Sequence, residues 1–312
     1  MQDEILQLFQ TRKSNKEKDK FTDYLSSRLQ KAGYREEDIH LQTKGKGLFR
    51  TRNIIVGNPD EAKIIIGAHY DTCALSPVPN FMAPTNPFLF LLTQVLIVVV
   101  IILLAGIVSY GAMLISDSPI IGYFSFLGAM ILLLIQLMFG FKNPHTANDN
   151  TSGTITITRI LETLEPEFRN KVCAVYFDNE EKGLLGSDFF ANKHKVAKKN
   201  KILINFDCVG DGQYLVTMAK KRARKETHYQ AFIDTLQKHS SDKDIKYRAR
   251  KMLPMMFPSD QIYFRKGIGV CALKRSPLGL YCARIHTPLD THCREENILF
   301  LTESLVDYIS QL

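Results

Sequence analysis

Val172-Cys173-Ala174-Val175-Tyr176-Phe177 runs without a charge into Asp178-Asn179-Glu180-Glu181-Lys182-Gly183-Leu184-Leu185-Gly186-Ser187, and the reading of the whole chain turns on this stretch. Six apolar residues with β-branched and aromatic members read as a buried strand. In an open α/β sheet, sites form just beyond the carboxyl ends of such strands. Neighbouring side chains on an extended or turning backbone point in different directions. One glutamate can therefore face a metal while the other faces the metal's water. The plainer alternative is a helix start, where acidic residues favour the dipole.

The chain has 312 residues, 45% of them apolar, enough for one sizeable α/β domain with an insertion. Its formal charge of +8 suits either an anionic neighbour or a merely solvated basic surface. Nothing points to a nucleic acid. Cys73, Cys173, Cys208, Cys271, Cys282 and Cys293 form no CxxC pair, and Met1 to Lys20 lacks a signal peptide's apolar core. Reduced thiols in the cytosol are the expectation.

Outward from the acidic pair, periodicity predicts a helix over Lys18–Ala32 stopped by Gly33, strands over 38–43 and 47–56, and a strand over 63–68 ending in His69-Tyr70-Asp71. Helices follow over 151–164 and 183–193, then a strand over 201–206 ending in Asp207. A helix over 226–239, a strand over 268–273 and a closing helix over 295–312 complete the pattern. Strands alternating with helices argue for an α/β fold with helices on both faces of the sheet.

Phe88 to Ile115 and Ile120 to Phe141 interrupt this pattern. Both are uncharged, lack a polar stripe at any phase and are long enough to cross a bilayer, with Ser116-Asp117-Ser118-Pro119 turning the chain between them. The expected organisation is residues 1–83 and 143–312 as one catalytic domain, split by a transmembrane hairpin over 84–142. No Lys or Arg lies between Lys63 and Lys142, so the catalytic side is expected to be cytoplasmic. The basic runs Lys193 to Lys201 and Lys220 to Lys225 suit either anionic lipid or a solvated face. Lys251-Met252-Leu253-Pro254-Met255-Met256-Phe257-Pro258 suits a permissive apolar subsite or ordinary core packing.

Four further places lie just past apolar strands or in nearby loops: His69 with Asp71, Asp149 within Ala147–Gly153, Asp207, and His286 within His286-Thr287-Pro288-Leu289-Asp290-Thr291. Each alone has a plain reading as a surface pair, a cap, a turn former or a loop residue. Together they supply two histidines and several carboxylates, a ligand set for zinc.

With Thr51-Arg52-Asn53-Ile54-Ile55, Gly67-Ala68-His69-Tyr70-Asp71-Thr72, Asp149 to Gly153, Glu180 to Ser187, Ser259-Asp260 and His286 to Thr291 in this order, the chain resembles the co-catalytic di-zinc aminopeptidases related to bacterial leucyl aminopeptidase. Glutaminyl cyclases and transferrin receptor are relatives of that family. The resemblance runs from about Tyr24 to the C-terminus and implies a zinc-exopeptidase fold with a mixed central sheet. It also implies that His69 and Asp207 bind one zinc, that Glu181 and His286 bind the other, and that Asp149 bridges them. Asp71 is then expected behind His69, fixing its tautomer, and Glu180 as general base. The implied substrate is a peptide with a free N-terminus. One alternative is a glutaminyl-cyclase-like acyltransferase with a single zinc; another is an inactive binding module on the same fold. The hairpin departs from the family's typical soluble, secreted members, and it falls between two site residues, Asp71 and Asp149.

Overall fold

A computed structural model describes residues 3–76, 81–241, 245–252 and 257–312. Half of the methionine-rich stretch Lys251 to Pro258, residues 253–256, lies outside the described residues. Helices are α1 (Glu4–Leu8), α2 (Asn15–Lys31), α3 (Pro87–Ser116), α4 (Pro119–Phe139), α5 (Gly153–Thr163), α6 (Leu185–Lys193), α7 (Lys195–Asn200), α8 (Thr227–Ser241) and α9 (Glu295–Ser310). Strands are β1 (Ile39–Lys44), β2 (Thr51–Val56), β3 (Ile64–His69), β4 (Phe81–Met82), β5 (Val172–Phe177), β6 (Ile202–Phe206), β7 (Tyr214–Ala219), β8 (Lys246–Lys251), β9 (Lys266–Ser276) and β10 (Gly279–Ala283). The strand expected over 47–56 starts only at Thr51, because Gly47–Phe49 turn tightly before it.

The strands form one mixed sheet in the order β1-β2-β5-β3-β6-β9-β10-β4, with β7 on the other edge of β9 and β8 beyond it. Its centre, β5-β3-β6-β9, is parallel. Burial on both faces explains why these strands read as unbroken apolar runs rather than alternating ones. In β5, Val172, Ala174 and Tyr176 belong to the core cluster that also holds residues of α2, α5, α8 and α9, while Cys173, Val175 and Phe177 belong to the one that holds Phe190 and Ala191 of α6 and Ala197 of α7. Six cysteines are free thiols, five of them buried. The basic runs at 193–201 and 220–225 lie at the end of the sheet away from the acidic turn. Lys201 precedes β6 whereas Asp207 follows it, and antiparallel pairing sets Ala219 of β7 beside Ile268 near the start of β9. The hairpin leaves from the opposite end of the sheet.

Two helices long and apolar enough to cross a membrane, α3 and α4, pack side by side, with only 17% and 6% of their most apolar windows buried. A core helix of a soluble protein would be mostly covered. Ser109 of α3 donates to Gly122 O of α4 at 2.8 Å, and a Cβ on Gly122 would come within 3.1 Å of Met113, so the small residue lets the two helices approach closely. At the hairpin base, Ala74 bridges Lys142 and Leu75 N donates to Phe141 O at 2.7 Å. α3 has 30 residues against 21 in α4, about 45 Å against about 32 Å at the helical rise. The first turns of α3 therefore extend past the end of α4 and reach over the end of the sheet that carries the acidic turn.

α2 begins with a capping box, Ser14 with Glu17, and buries Phe21, Leu25 and Leu29. Lys18 occupies the same inward stripe and is 2% exposed. Its ammonium reaches Asp178 at 2.5 Å and Asn179 Oδ1 at 2.7 Å. Removing one partner of a buried ion pair leaves an uncompensated charge. Lys18→Met should therefore cost about 3–5 kcal/mol in denaturant titration. Adding Asp178→Asn should recover part of that loss, and a double variant that is less stable than Lys18→Met would show that the pair does not act as a unit.

Candidate functional site

Adjacent parallel strands deliver most of the acidic cleft. His69 ends β3, Glu180 and Glu181 follow β5, and Asp207 follows β6. Asp149 comes from the wide turn Ala147–Ser152 that leads from the hairpin into α5, and His286 from the loop after β10. All the residues singled out in the sequence thus converge beyond the carboxyl ends of the sheet.

Asp149 presents a different oxygen to each side. Its Oδ1 lies 3.3 Å from His69 Nε2, and its Oδ2 lies 3.1 Å from His286 Nε2. His69 Nε2 is also 3.7 Å from Asp207, and His286 Nε2 is 3.2 Å from Glu181. The ligand atoms of His69, Glu180 and Asp207 fall within 4.8 Å of one another, as do those of His69, Asp149 and Glu181. Cys208 is equally close to Asp149 and Asp207, and Cys73 to Glu181 and His286, two neighbours that spacing alone did not mark. One oxygen of Glu181, Oε1, is buried with no hydrogen-bond partner. An orphaned carboxylate oxygen among imidazoles and further carboxylates fits a cation site.

Asp71 does more than stand behind His69. Ring nitrogen Nδ1 of His69 lies 3.1 Å from the Asp71 carbonyl oxygen and 3.6 Å from its carboxylate. That carboxylate accepts the backbone N–H groups of Glu180 at 3.0 Å and Glu181 at 3.2 Å, so it fixes the turn carrying both glutamates. Its pKa falls to about 2: burial acts upward, but the His69 ring, Lys18 and the Glu180 amide outweigh it.

The same turn is fastened to the start of β2. Asn53 accepts from Asp178 N at 3.1 Å and donates to Gly186 O at 2.9 Å, while Asn179 donates to Thr51 Oγ1 at 2.9 Å. A Cβ on Gly186 would lie 2.3 Å from Asp178 O, so only glycine fits there. Asp290 ties the last loop to the Asp149 turn, accepting from Asn148 N at 2.8 Å and Asp149 N at 3.0 Å. Asn148 in turn accepts from Gly210 N and Asp211 N, at 2.8 and 2.9 Å. These bonds give the Thr51–Ile55 and His286–Thr291 motifs a physical role in holding the loops that carry the candidate ligands.

Burial, with Glu181, Asp207 and Asp260 nearby, drives Glu180 well above the ordinary carboxyl range. Asp260 is fully buried with both oxygens unpaired, and burial lifts it to about 7. Arg12 and Lys18 form the basic backing. Arg12 is completely buried, donates to Tyr70 O at 2.5 Å and reaches Thr151 Oγ1 at 3.1 Å. Neither cation was marked as part of the site from sequence. Lys18 could have been, since it heads the apolar stripe Phe21, Leu25, Leu29.

The cleft encloses about 390 Å³, and part of its wall is the hairpin: Phe90, Gln94 and Ile97 of α3 with Leu137 and Met138 of α4. Phe90, Gln94 and Ile97 are spaced to share one helix face. They belong to the early turns of α3, and Leu137 and Met138 stand at the end of α4.

A search of curated proteins finds no match. Among solved structures, the LapA aminopeptidase of Legionella pneumophila is similar with a TM-score of 0.54 at 12% identity, covering 99% of this chain and 68% of that one. The glutaminyl cyclase of Porphyromonas gingivalis has a TM-score of 0.57 at 14% identity, covering 97% and 93%. That of Tannerella forsythia has 0.57 at 14%, covering 99% and 96%. At these identities the likeness concerns the fold, which aminopeptidases and cyclases share. The family model described as peptidase family M28 matches residues 137–298, just over half of the sequence and including the acidic turn, Asp207 and His286. The chain belongs to peptidase family M28.

Proposed function

We propose that this chain is a membrane-anchored, zinc-dependent aminopeptidase that removes N-terminal residues from peptides. The observation that carries the reading is Asp149, with one oxygen toward His69 and the other toward His286. A carboxylate so placed suits a bridge between two ions, with His69 and Asp207 completing one set and Glu181 and His286 the other. Bound there, two zinc ions would lower the pKa of water, polarise the scissile carbonyl and hold a free α-amine.

Glu180 is the general base in this reading. It takes a proton from the attacking water and returns it to the leaving amine, a role suited by its raised proton affinity. Asp71 positions Glu180 and Glu181 through their amides, and His69 through its ring nitrogen. The hairpin crosses the bilayer and returns, leaving the catalytic domain on the cytoplasmic side, where the positive residues lie. Because the hairpin walls the cleft, the site stands at the membrane surface and favours peptides with apolar or membrane-associated N-termini.

Zinc uptake tests the ligand set. Without metal, burial and Asp149 push Glu181 up to about 8. Burial acts downward on His286, but Glu181 and Asp149 outweigh it and raise the ring to about 9. The Glu181–His286 pair therefore retains a proton at neutral pH and must release it to bind a cation. Calorimetry in buffers of different ionisation enthalpy should show proton release, with zinc affinity rising from neutral pH up to about 9. Saturation should come at two zinc ions per chain; saturation at one would favour the single-zinc cyclase reading.

Glu180→Gln keeps size but cannot accept the water's proton. Hydrolysis of an aminoacyl amide should fall by about 10²–10⁴-fold in kcat with zinc content unchanged. Largely intact turnover would show that another group is the base.

Replacing residues 84–142 with a short soluble loop should preserve zinc binding and cleavage of small amides, while cleavage of apolar peptides presented in vesicles falls. Digestion of the catalytic domain from outside sealed right-side-out vesicles would overturn the assigned orientation.

A further inference from the structure

A second cavity of about 790 Å³ opens beside the site, where the hairpin meets the α/β domain. Ile135 and Phe139 of α4 line it, together with Leu48 and Phe49 on the β1–β2 turn. Leu48 and Phe49 are 74% and 70% exposed, and neighbouring Phe141 is 80% exposed. An uncovered apolar surface of this kind marks a binding site or a membrane contact.

The rim carries opposite chemistry. Lys13, Lys142 and Lys182 converge on it. Lys142 is paired with Glu17 at 2.9 Å. Lys13 and Lys182 instead donate to backbone carbonyls, of Met138 at 2.9 Å and Leu48 at 3.3 Å. Lys182 also stands over the Phe139 ring, 5.8 Å from its centroid. Two ammonium groups with no bonded carboxylate among the described residues thus sit directly above apolar side chains, at the end of a helix suited to cross a bilayer. The turn repeats the pattern in sequence, as Lys44-Gly45-Lys46-Gly47-Leu48-Phe49-Arg50. Basic flanks around an apolar tip suit a segment dipping into an anionic membrane surface.

We propose that this cavity seats an anionic phospholipid, its phosphate between Lys13 and Lys182 and an acyl chain against Phe139 and the Leu48–Phe49 tip. Charge complementarity selects the headgroup, and continuity with the bare flank of α4 selects a lipid over a soluble anion. The inference rests on the bilayer reading and not on the peptidase reading. Lys182 directly follows Glu181, so the headgroup would lie against the turn that carries the candidate base.

The full chain would be reconstituted in bilayer discs of equal parts phosphatidylcholine and phosphatidylglycerol, then released in mild detergent for native mass spectrometry. Wild type should keep one phosphatidylglycerol in preference to phosphatidylcholine. Lys13→Gln with Lys182→Gln should lower that retention roughly 30-fold, as two lost lysines at a membrane surface predict. Leu48→Ser with Phe49→Ser keeps every charge and should also loosen the lipid; lying on an exposed turn, this pair carries the test if the lysine variant fails to fold. Equal retention of both lipids by wild type, or undiminished phosphatidylglycerol on a folded lysine variant, overturns the proposal. Displacement by inorganic phosphate alone would reveal a plain anion site and overturn it too. A chain that does not float with pure phosphatidylcholine vesicles would sink the bilayer reading instead, which separates the two failures.

Discussion

Asp71, Asp149, Glu180, Glu181, Asp207 and Asp260 crowd one largely buried cleft in which His69 and His286 are the facing side chains able to carry positive charge. Carboxylates removed from water and set side by side must either take up protons or be neutralised by cations. The surrounding structure answers that pressure. Backbone N–H groups are turned onto Asp71 and Asp290, while Arg12 and Lys18 are buried as fixed cations behind the strands. Such an arrangement stores a demand for positive charge that the protein's own side chains leave partly unmet, as the orphaned oxygens of Glu181 and Asp260 record.

Much of this is legible in the sequence. Unbroken apolar runs marked β3, β5 and β6, because a parallel strand buried on both faces has no polar alternation to blur it. Their ends marked His69, Glu180, Glu181 and Asp207. Less visible were β7, β8 and β10: β7 and β10 are short uncharged runs between turns, whereas β8, Lys246–Lys251, is charged, nearly all exposed and held by pairing with β7 rather than by burial. The Lys18–Asp178 pair was also missed. A lysine in a helix reads as solvent-facing unless its phase is checked against Phe21, Leu25 and Leu29. Asp71 was expected to act through the His69 ring, yet its carboxylate is bonded to two amides more than a hundred residues away, a contact that only the β3–β5 pairing creates.

The hairpin is joined to the cleft rather than appended to it. Ser76 N donates to His286 O at 2.8 Å, and Asn143 donates to Thr287 O at 2.9 Å, so the two strands of chain at its base also hold the loop bearing one histidine. Gln136 of α4 reaches back to Leu75 O at 3.1 Å. Helices with so little covered surface would be a liability in water, whereas in hydrocarbon their bare flanks cost nothing and their backbone bonds are already satisfied.

The place of the hairpin in the chain has a consequence for how the protein is made. His69 and Asp71 precede it, and Asp149, Glu180, Glu181, Asp207 and His286 all follow it. In a bilayer, a nascent chain whose first helix inserted and whose second did not return would leave His69 and Asp71 on the side opposite the other five residues, so the candidate set that needs His69 could not close. The Ala74–Lys142 bridge forms only when both helices have arrived. Under the proposed bilayer reading, completing both candidate ligand sets would therefore double as a check on membrane topology, and a mis-inserted copy would lack His69 and Asp71 at its cleft.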